Sequence, residues 1–141
     1  MYTYKVSLEK AENEKGILSI PQKPPLEVST PPEFKGVPGV WTPEDLLVAS
    51  VESCLMTTLF YFLRRKKIPP SAYESKAVGI LDKTPKGLRF TSMTIDATLE
   101  LPENHGDETM GEELANLTEK HCLVSQSVSC PITYNLRIVY S

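Results

Sequence analysis

The stretch that decides the fold runs from Thr42 to Thr57 and reads TPEDLLVASVESCLMT. Its first residues are typical of a helix start, because Thr42 can serve as the N-cap and the proline after it fits the first helical turn. The two acidic residues that follow suit the positive end of the helix dipole, and the second stands three residues after Thr42, as in a capping box. The apolar run beyond them predicts a long helix that continues to about Lys67 and carries Cys54 near its middle.

Cys54 projects from the more polar side of this predicted helix. At about 100° per residue, the side chains nearest to its direction are mixed in character, namely Leu47, Ser50, Val51, Thr57, Thr58, Tyr61 and Arg65. The opposite side is richer in large apolar residues and includes two carboxylates: Met56, Leu59, Leu63, Asp45 and Glu52. A structural cysteine is more typical of the apolar side, so Cys54 is a candidate for a reactive thiol, with an ordinary structural cysteine as the alternative.

A second cysteine lies near the end of another predicted helix, which runs from Asp107 to about Leu123. Cys122 and the distant Cys54 together make the minimum set for two-cysteine redox chemistry. Cys130 precedes a proline and the last predicted strand, and we interpret it as structural. His121 neighbours Cys122 without facing it along a helix, so we expect a surface or half-buried histidine rather than a base. These three residues lack a fourth ligand, so we expect no metal site and no cofactor.

The remaining segments alternate in the manner of strands. Alternation predicts strands at Thr3–Leu8, Ile17–Ile20, Leu26–Thr30, Tyr73–Asp82, Leu88–Leu101 and Ile132–Val139. Prolines on both sides confine the third strand to a sheet edge, and a turn at Thr84–Gly87 makes a hairpin of the fourth and fifth. In the fifth strand, Met93, Ile95, Ala97 and Leu99 share one face. The order is β-β-(β)-α-β-β-α-β, an α+β pattern in a single domain over residues 1–141.

Composition and charge argue against several classes of function. The chain has 141 residues and a net charge of −3, which argues against nucleic-acid binding. Its densest basic run, Arg64 to Lys67, falls at a predicted helix C-terminus, where cations complement the dipole; a binding patch is the alternative. Charges interrupt every apolar run well short of about 20 residues, so we expect no membrane helix. Met1–Lys5 has no apolar leader character, and the three cysteines form no disulfide framework, so we expect a cytoplasmic protein.

The charges available to Cys54 lie far from it along the helix. Glu44 precedes Cys54 by ten residues, or about 15 Å along the axis, and Arg65 lies about 16 Å away on nearly the same face. For Cys54 to share a site with Glu44 or Arg65, a long cationic group must bridge them. The alternative is a second copy of the helix, packed antiparallel across a dyad, that delivers the second group. A thiol at mid-helix gains little from the dipole, so we expect a nearby cation to lower its pKa; Lys15, in the first hairpin loop, is another candidate.

These residues resemble the OsmC/Ohr family of thiol-dependent hydroperoxide reductases. The family pattern is a Pro-Glu-x-Leu helix start with a cysteine ten residues after the glutamate, which Pro43–Leu46 and Cys54 match. The family's second cysteine lies in a Cys-Pro-x-Ser-like stretch, matched by Cys122–Ser125 with leucine in place of proline. Element order and length fit as well, so the resemblance covers nearly the whole chain.

The resemblance implies an OsmC-like fold, assembled as an intertwined homodimer with the two long helices at its centre. It implies peroxiredoxin-like chemistry in oxidative stress, in which Cys54 attacks the O–O bond of an organic hydroperoxide and becomes a sulfenic acid. Cys122 would condense with it to a disulfide, which a dithiol reductant reopens. Glu44 would hold an arginine of the first hairpin loop against the thiolate. Residues 1–63 contain no arginine, which leaves Lys15, or Arg65 from the partner.

Two functions are consistent with these observations. The first is a thiol peroxidase with an apolar pocket lined by Trp41, Phe60 and Tyr61. The second is a non-catalytic OsmC-like dimer whose pocket binds a small apolar or thiol ligand. The paired cysteines favour the first function and the missing arginine favours the second. Glu52, two residues before the thiol, is either a solvent or interface carboxylate or a group that supports the site.

Overall fold

A computed structural model describes residues 1–103 and 109–141. The helices and strands are, in chain order, β1 (Ser7–Lys10), β2 (Gly16–Ser19), β3 (Leu26–Val28), α1 (Pro43–Arg65), β4 (Ala72–Thr84), β5 (Gly87–Leu101), α2 (Met110–His121), α3 (Leu123–Gln126) and β6 (Ile132–Tyr140). The predicted α+β class and element order are confirmed, with one additional short helix, α3, before the last strand. The chain forms two compact units, residues 1–47 and 48–141.

The first unit contains a small antiparallel sheet in the order β1-β2-β3. The strand predicted at Thr3–Leu8 is displaced: β1 pairs with β2 from Ser7 to Lys10, and all four of its residues are exposed. The displacement follows from the hairpin loop, which is closed by a hydrogen bond from the Ala11 N–H to the Lys15 carbonyl at 2.8 Å and so lets β1 continue two residues further. β3 lies at a sheet edge, as its flanking prolines predict.

The start of α1 is held by the predicted capping box. The Asp45 N–H donates to Thr42 Oγ1 at 3.0 Å, and the Thr42 N–H donates to Asp45 Oδ2 at 3.0 Å. These bonds satisfy two backbone donors at the start of the helix, which otherwise have no helical partner.

The other end of α1 closes two residues earlier than predicted. Lys67 adopts a left-handed backbone with φ of 58°, and the Ile68 N–H donates to the Leu63 carbonyl at 2.9 Å while the Lys67 N–H donates to the Arg64 carbonyl at 3.0 Å. This pair of bonds is a Schellman motif, which reverses the chain and ends the helix.

The second unit is built around the packing of α1 on a sheet in the order β4-β5-β6. β4 and β5 form the predicted antiparallel hairpin, and β6 pairs parallel to β5. The predicted inner face of β5 is buried, at Met93, Ile95, Ala97, Leu99 and Leu101. A fully buried stripe of α1 packs against this face. It consists of Val51, Leu55, Leu59 and Leu63. Val51, which we had grouped with the side of Cys54, therefore belongs to the core, because it starts the row of every fourth residue that follows the helix surface.

By length and composition alone, α1 is long and apolar enough to cross a membrane. It passes this test because its charges stand near its two ends, with Glu52 the one charged residue between Asp45 and Arg64. The finding is weak evidence for a membrane span, since the core helix of a globular protein passes the same test, and the expectation of no membrane helix stays a prediction. Only 22% of its most apolar 18-residue stretch is buried, so much of α1 is not covered within the described chain.

The packing of α1 on β4 leaves no room for a side chain at Gly79. A Cβ there would stand 2.7 Å from Val48 Cγ2 and 3.0 Å from Phe90 Cε1, whereas one at Gly111 on α2 would stand no closer than 3.5 Å to Ile138. We expect Gly79→Ala to lower the free energy of unfolding by about 1–3 kcal/mol through overpacking. Gly111→Ala should leave it unchanged or raise it by up to about 1 kcal/mol, since alanine is the better helix former. Urea unfolding measures both, and equal losses in the two variants would contradict this account.

Candidate functional site

The structure brings together the two cysteines that the sequence singles out. Cys54 is half-buried on α1, and Cys122 is fully buried between α2 and α3. Their side chains are in hydrogen-bonding contact, with Cys122 donating to Cys54. Each thiol shifts the pKa of the other, so the two side chains are neighbours, which is the first requirement for disulfide exchange between them.

A break in the chain at Cys122 creates this contact. Cys122 has an extended backbone, with φ of −73° and ψ of 106°, and separates α2 from α3. The prediction of one helix through Leu123 was therefore wrong at its C-terminal end; the predicted start at Asp107 lies outside the described residues. The break leaves the first N–H groups of α3 without helical partners, and the backbones of Leu123 and Val124 hydrogen-bond to the Cys54 sulfur.

These contacts make Cys54 the more acidic thiol. Burial raises its pKa, but the hydrogen bonds from the Cys122 thiol, the Val124 backbone, the Thr58 hydroxyl and the Leu123 backbone together bring the pKa below its usual value. The Thr58 oxygen lies 3.8 Å from the Cys54 sulfur. Every group that lowers this pKa within the described residues is neutral, and the cation expected from the sequence stays a prediction.

Cys122 is shifted in the opposite direction. Burial raises the pKa of its thiol, a hydrogen bond with Ser125 offsets part of that increase, and the neighbouring Cys54 raises it further. Because the two thiols titrate as a pair, the first proton to leave the pair comes from Cys54. When the pair loses a proton, Cys54 is therefore the thiol that becomes the nucleophile, and Cys122 keeps its proton beside it.

A cavity of about 500 Å³ opens beside Cys54. It is lined by residues of α1 and of the α2–α3 junction, namely Cys54, Thr57, Thr58, Tyr61, Phe62, Arg65, His121 and Leu123. Of the predicted pocket residues, Tyr61 is present, Phe60 lines a separate cavity and Trp41 belongs to the first unit. At about 100° per residue, Tyr61 points within about 20° of Cys54, whereas Phe60 points to another side of the helix.

Two basic side chains lie along the wall of this cavity. Arg65 donates from Nη1 to Tyr61 Oη at 3.1 Å, and its guanidinium carbon lies 5.9 Å from the centre of the Tyr61 ring. His121 is exposed, as expected, and packs edge-on against Phe62 with 5.3 Å between ring centres. His121 was not predicted to line the cavity, because neighbouring residues of one continuous helix do not face the same way, and the break at Cys122 is not marked in the sequence.

The other two predicted site residues lie in the first unit. Lys15 Nζ is 3.2 Å from Glu27 Oε2, so its charge is paired within that unit. Glu44 Oε1 is shielded from solvent and has no hydrogen-bond partner among residues 1–103 and 109–141. A buried carboxylate oxygen without a donor is rare in proteins, so Glu44 has a place for a cation or another donor that the described residues do not fill.

A chain of polar side chains behind the thiol pair was not recognised from the sequence. Ser75 Oγ donates to Glu52 Oε2 at 2.7 Å, and Tyr73 Oη lies 2.9 Å from Tyr134 Oη. Burial raises the pKa of both tyrosines, so both stay neutral at neutral pH. Glu52 thus ties α1 to β4. The sequence does contain a signal for this polar group. Tyr73 and Ser75 stand two residues apart in β4, so their side chains share one face of the strand.

Cys130 is half-buried and packs against the apolar cluster that contains Val51 and Leu55. It also lines a small cavity of about 230 Å³ with Glu119 and Ser125, and its interpretation as a structural residue stays a prediction.

Two neighbouring threonines allow the sulfur contacts of Cys54 to be tested. Thr58 contacts the Cys54 sulfur, whereas the Thr57 hydroxyl donates to the Cys54 carbonyl at 3.1 Å. We expect Thr58→Val to raise the pKa of Cys54 and to slow its alkylation at pH 7 by about two- to fivefold, as for the loss of one neutral hydrogen bond. Thr57→Val is the matched control and should alkylate at the wild-type rate. Iodoacetamide kinetics across pH 5–10 measure both, and equal profiles for the two variants would refute the role of Thr58.

Comparisons with known proteins agree with this fold. A family model described as OsmC-like protein matches residues 36–137. An OsmC-like protein of unknown function from Vibrio cholerae has a TM-score of 0.83 at 17% identity, covering 95% of this chain and 99% of that one. An organic hydroperoxide resistance protein OsmC from Legionella pneumophila has a TM-score of 0.73 at 17% identity, covering 98% of each chain.

A third structure, an organic hydroperoxide resistance protein from Elizabethkingia anophelis, has a TM-score of 0.74 at 15% identity and covers 99% of each chain. A search of curated proteins found no significant match. At these identities, the structural likeness shows the fold alone. The family model spans most of the chain and includes both Cys54 and Cys122, and the protein therefore belongs to the OsmC-like family.

Proposed function

We propose that this protein is a thiol-dependent peroxidase that reduces organic hydroperoxides. The observation that carries the proposal is the contact between two thiols with opposite pKa shifts, Cys54 lowered and Cys122 raised. Such a pair supplies a nucleophile and a resolving thiol in one place. The neighbours from Legionella and Elizabethkingia are named organic hydroperoxide resistance proteins, which supports the same chemistry for this chain.

In the first step, the Cys54 thiolate attacks the terminal oxygen of the hydroperoxide. The O–O bond breaks, the sulfur gains that oxygen as a sulfenic acid, and the organic oxygen leaves as an alcohol after taking up a proton. The backbone groups of Leu123 and Val124 and the Thr58 hydroxyl stabilise the thiolate before attack. Because these donors are fixed by secondary structure, they need little reorganisation during the reaction.

In the second step, Cys122 resolves the sulfenic acid. Its sulfur attacks Cys54, a disulfide forms, and the sulfenic hydroxyl leaves with the thiol proton as water. A dithiol reductant then reduces the disulfide by exchange and is itself oxidised to a disulfide. The short path between the two sulfurs favours this intramolecular route over further oxidation of Cys54.

The cavity beside Cys54 suits a small organic substrate. Its volume of about 500 Å³ lies within the range of small-molecule sites, and aromatic side chains from Tyr61 and Phe62 form part of its wall. An apolar substrate body can therefore lie against these rings while its peroxide group reaches the sulfur.

We also propose that the protein functions as a homodimer in the cytoplasm. Only 22% of the most apolar stretch of α1 is buried in one protomer, and the Glu44 carboxylate lacks a donor within the described residues. A second copy packed along α1 would cover this apolar stretch and could supply a donor to Glu44. Such packing agrees with the antiparallel arrangement expected from the sequence. All three cysteines are free, which suits a reducing compartment.

Catalysis can be tested with the two cysteines separately. We expect the wild-type protein to consume cumene hydroperoxide with a dithiol reductant and Cys54→Ser to be inactive, because the nucleophile is lost. Cys122→Ser should form a sulfenic acid that dimedone traps, and should not show the mass loss of two hydrogens that wild type shows after one equivalent of peroxide. Cys130→Ser is the matched control and should behave as wild type. No rate above background, or equal rates for wild type and Cys54→Ser, would reject the enzyme.

The oligomeric state gives a separate prediction. Sedimentation equilibrium of the reduced protein should give twice the chain mass of 15.7 kDa, because the exposed apolar surface of α1 favours association. A monomer at micromolar concentration would contradict the dimer without affecting the proposed thiol chemistry.

A second candidate function is a non-catalytic protein that binds a small apolar or thiol ligand. It is favoured by the neutral character of every group that lowers the pKa of Cys54 in the described chain, since hydroperoxide reduction benefits from a positive charge near the leaving oxygen. Saturable binding of a thiol ligand by a protein with no peroxidase rate would support it.

A further inference from the structure

A hydrogen-bonded chain of four side chains connects α1 to the surroundings of Cys122. Ser75 Oγ donates to Glu52 Oε2 at 2.7 Å, and Ser75 is also in hydrogen-bonding contact with the Tyr73 hydroxyl. The chain continues from Tyr73 Oη to Tyr134 Oη, which are 2.9 Å apart. Its members come from α1, β4 and β6, the elements that form the core of the second unit. The proposed peroxidase steps use none of them.

The number of available protons fixes the direction of each hydrogen bond in this chain. A carboxylate only accepts, and a hydroxyl has a single proton to donate. Ser75 gives its proton to Glu52, so the Ser75 oxygen is left as an acceptor for the neutral Tyr73. The proton of Tyr73 is then used as well. Tyr134 is therefore the donor in the bond between the two tyrosines.

Cys122 lies at the free end of this chain. It belongs to the same buried cluster as Tyr134. Burial is the main reason for the raised pKa of Tyr134, and the charge of a Cys122 thiolate is a smaller cause, so the two side chains are within electrostatic reach. Because the proton of Tyr134 is bound to Tyr73, its oxygen has only lone pairs left for that sulfur. Lone pairs accept from a thiol and repel a thiolate, so this orientation favours the protonated form of Cys122.

Two other titratable groups act at this end of the chain, namely Cys54 on α1 and Glu119 on α2. Burial is the main cause of the raised pKa of Cys122, and the neighbouring Cys54 adds to it. Burial is also the main cause for Tyr134, to which the charge of Glu119 adds a smaller effect. A test of the tyrosine pair therefore has to keep Cys54 the same in every variant and to change Glu119 separately.

We propose that this chain holds the hydroxyl of Tyr134 with its oxygen toward Cys122, which makes Tyr134 a positioning residue that keeps the second thiol protonated. Glu52 acts from the far end, because it decides which way the protons of the chain point. In turnover, the two sulfurs stay unequal until Cys54 has become a sulfenic acid. This consequence rests on the proposed function, whereas the orientation of Tyr134 and its effect on Cys122 do not.

The two tyrosines distinguish this role from a merely structural one, because either change to phenylalanine removes the same hydrogen bond. The measurement is the pH titration of the ¹³C chemical shift of Cys122 Cβ in the full-length Cys54→Ser protein, where this thiol titrates without its partner. In Tyr73→Phe, the proton of Tyr134 loses its acceptor and turns to the sulfur. The midpoint should fall by about one pH unit, as for one hydrogen bond to a charged group.

The hydroxyl of Tyr134 is required for this fall. Tyr134→Phe removes only the repulsion from the oxygen, so its midpoint should fall by at most about half as much. The double variant Tyr73→Phe/Tyr134→Phe should match Tyr134→Phe, because the proton that turns to Cys122 is then absent.

Further variants supply matched controls. Ser75→Ala leaves the Tyr73 proton free to turn to Tyr134 and should lower the midpoint as Tyr73→Phe does, whereas Ser75→Thr keeps the hydroxyl and should leave it unchanged. Tyr140→Phe changes an exposed tyrosine of the same strand, β6, and Glu119→Gln removes a charge outside the chain. Both should titrate as the parent protein.

Equal falls in Tyr73→Phe and Tyr134→Phe, no fall in Tyr73→Phe, or a fall that persists in the double variant would each overturn the proposal. The two single variants lose the same bond and should lose similar stability in urea unfolding, so stability cannot produce the expected difference. If Tyr73→Phe does not fold, Ser75→Ala and Ser75→Thr test the same orientation, and equal midpoints for these two would overturn it. The titrations need no peroxide, so an inactive protein can still show the effect and an active peroxidase can still lack it.

Discussion

The packing of one helical stripe against one strand face underlies the whole second unit. Val51, Leu55, Leu59 and Leu63 of α1 are fully buried against the inner face of β5. At about 2 kcal/mol for each buried side chain, this stripe is a large part of what the unit gains on folding. It also fixes the rotation of α1 about its axis. Once the stripe faces the sheet, Cys54 stands at the border between core and cavity, where a thiol is both shielded and accessible.

The chemistry of Cys54 depends on how the chain turns at Cys122. If α2 had continued, its amides would have bonded to their own helix, and the Cys54 sulfur would have kept fewer donors. The turn instead directs the backbones of Leu123 and Val124 to that sulfur. The resembling family pattern has proline where this chain has Leu123, and proline has no N–H. Leu123 therefore keeps a backbone donor to Cys54 that a proline at this position would lack, and the described residues provide no cationic contact to that sulfur.

Local signals were sufficient for much of the fold. The capping box at Thr42, the turn before Gly87 and the alternation of β5 depend on neighbouring residues, and each is present as predicted. The register of β1 and the end of α2 were misplaced, because a hairpin loop and a tertiary contact decide them. Gly16 marks the end of that loop but not its start, and no glycine or proline marks the break at Cys122. The pairing of Cys54 with Cys122 was suggested by family resemblance. The backbone donors to Cys54 could not be read from residue types, because backbone groups have no signature in the sequence.

The parallel pairing of β6 with β5 has a consequence for how the protein matures. Parallel neighbours need a long crossover, and here the crossover carries Cys122. Closing it requires contacts between residues far apart in the chain, which form late in folding. Until this crossover is in place, Cys54 lacks the contacts with Cys122, Leu123 and Val124 that lower its pKa. A partly folded chain therefore exposes thiols of ordinary acidity, and the different acidities of the two cysteines arise only when the fold is complete.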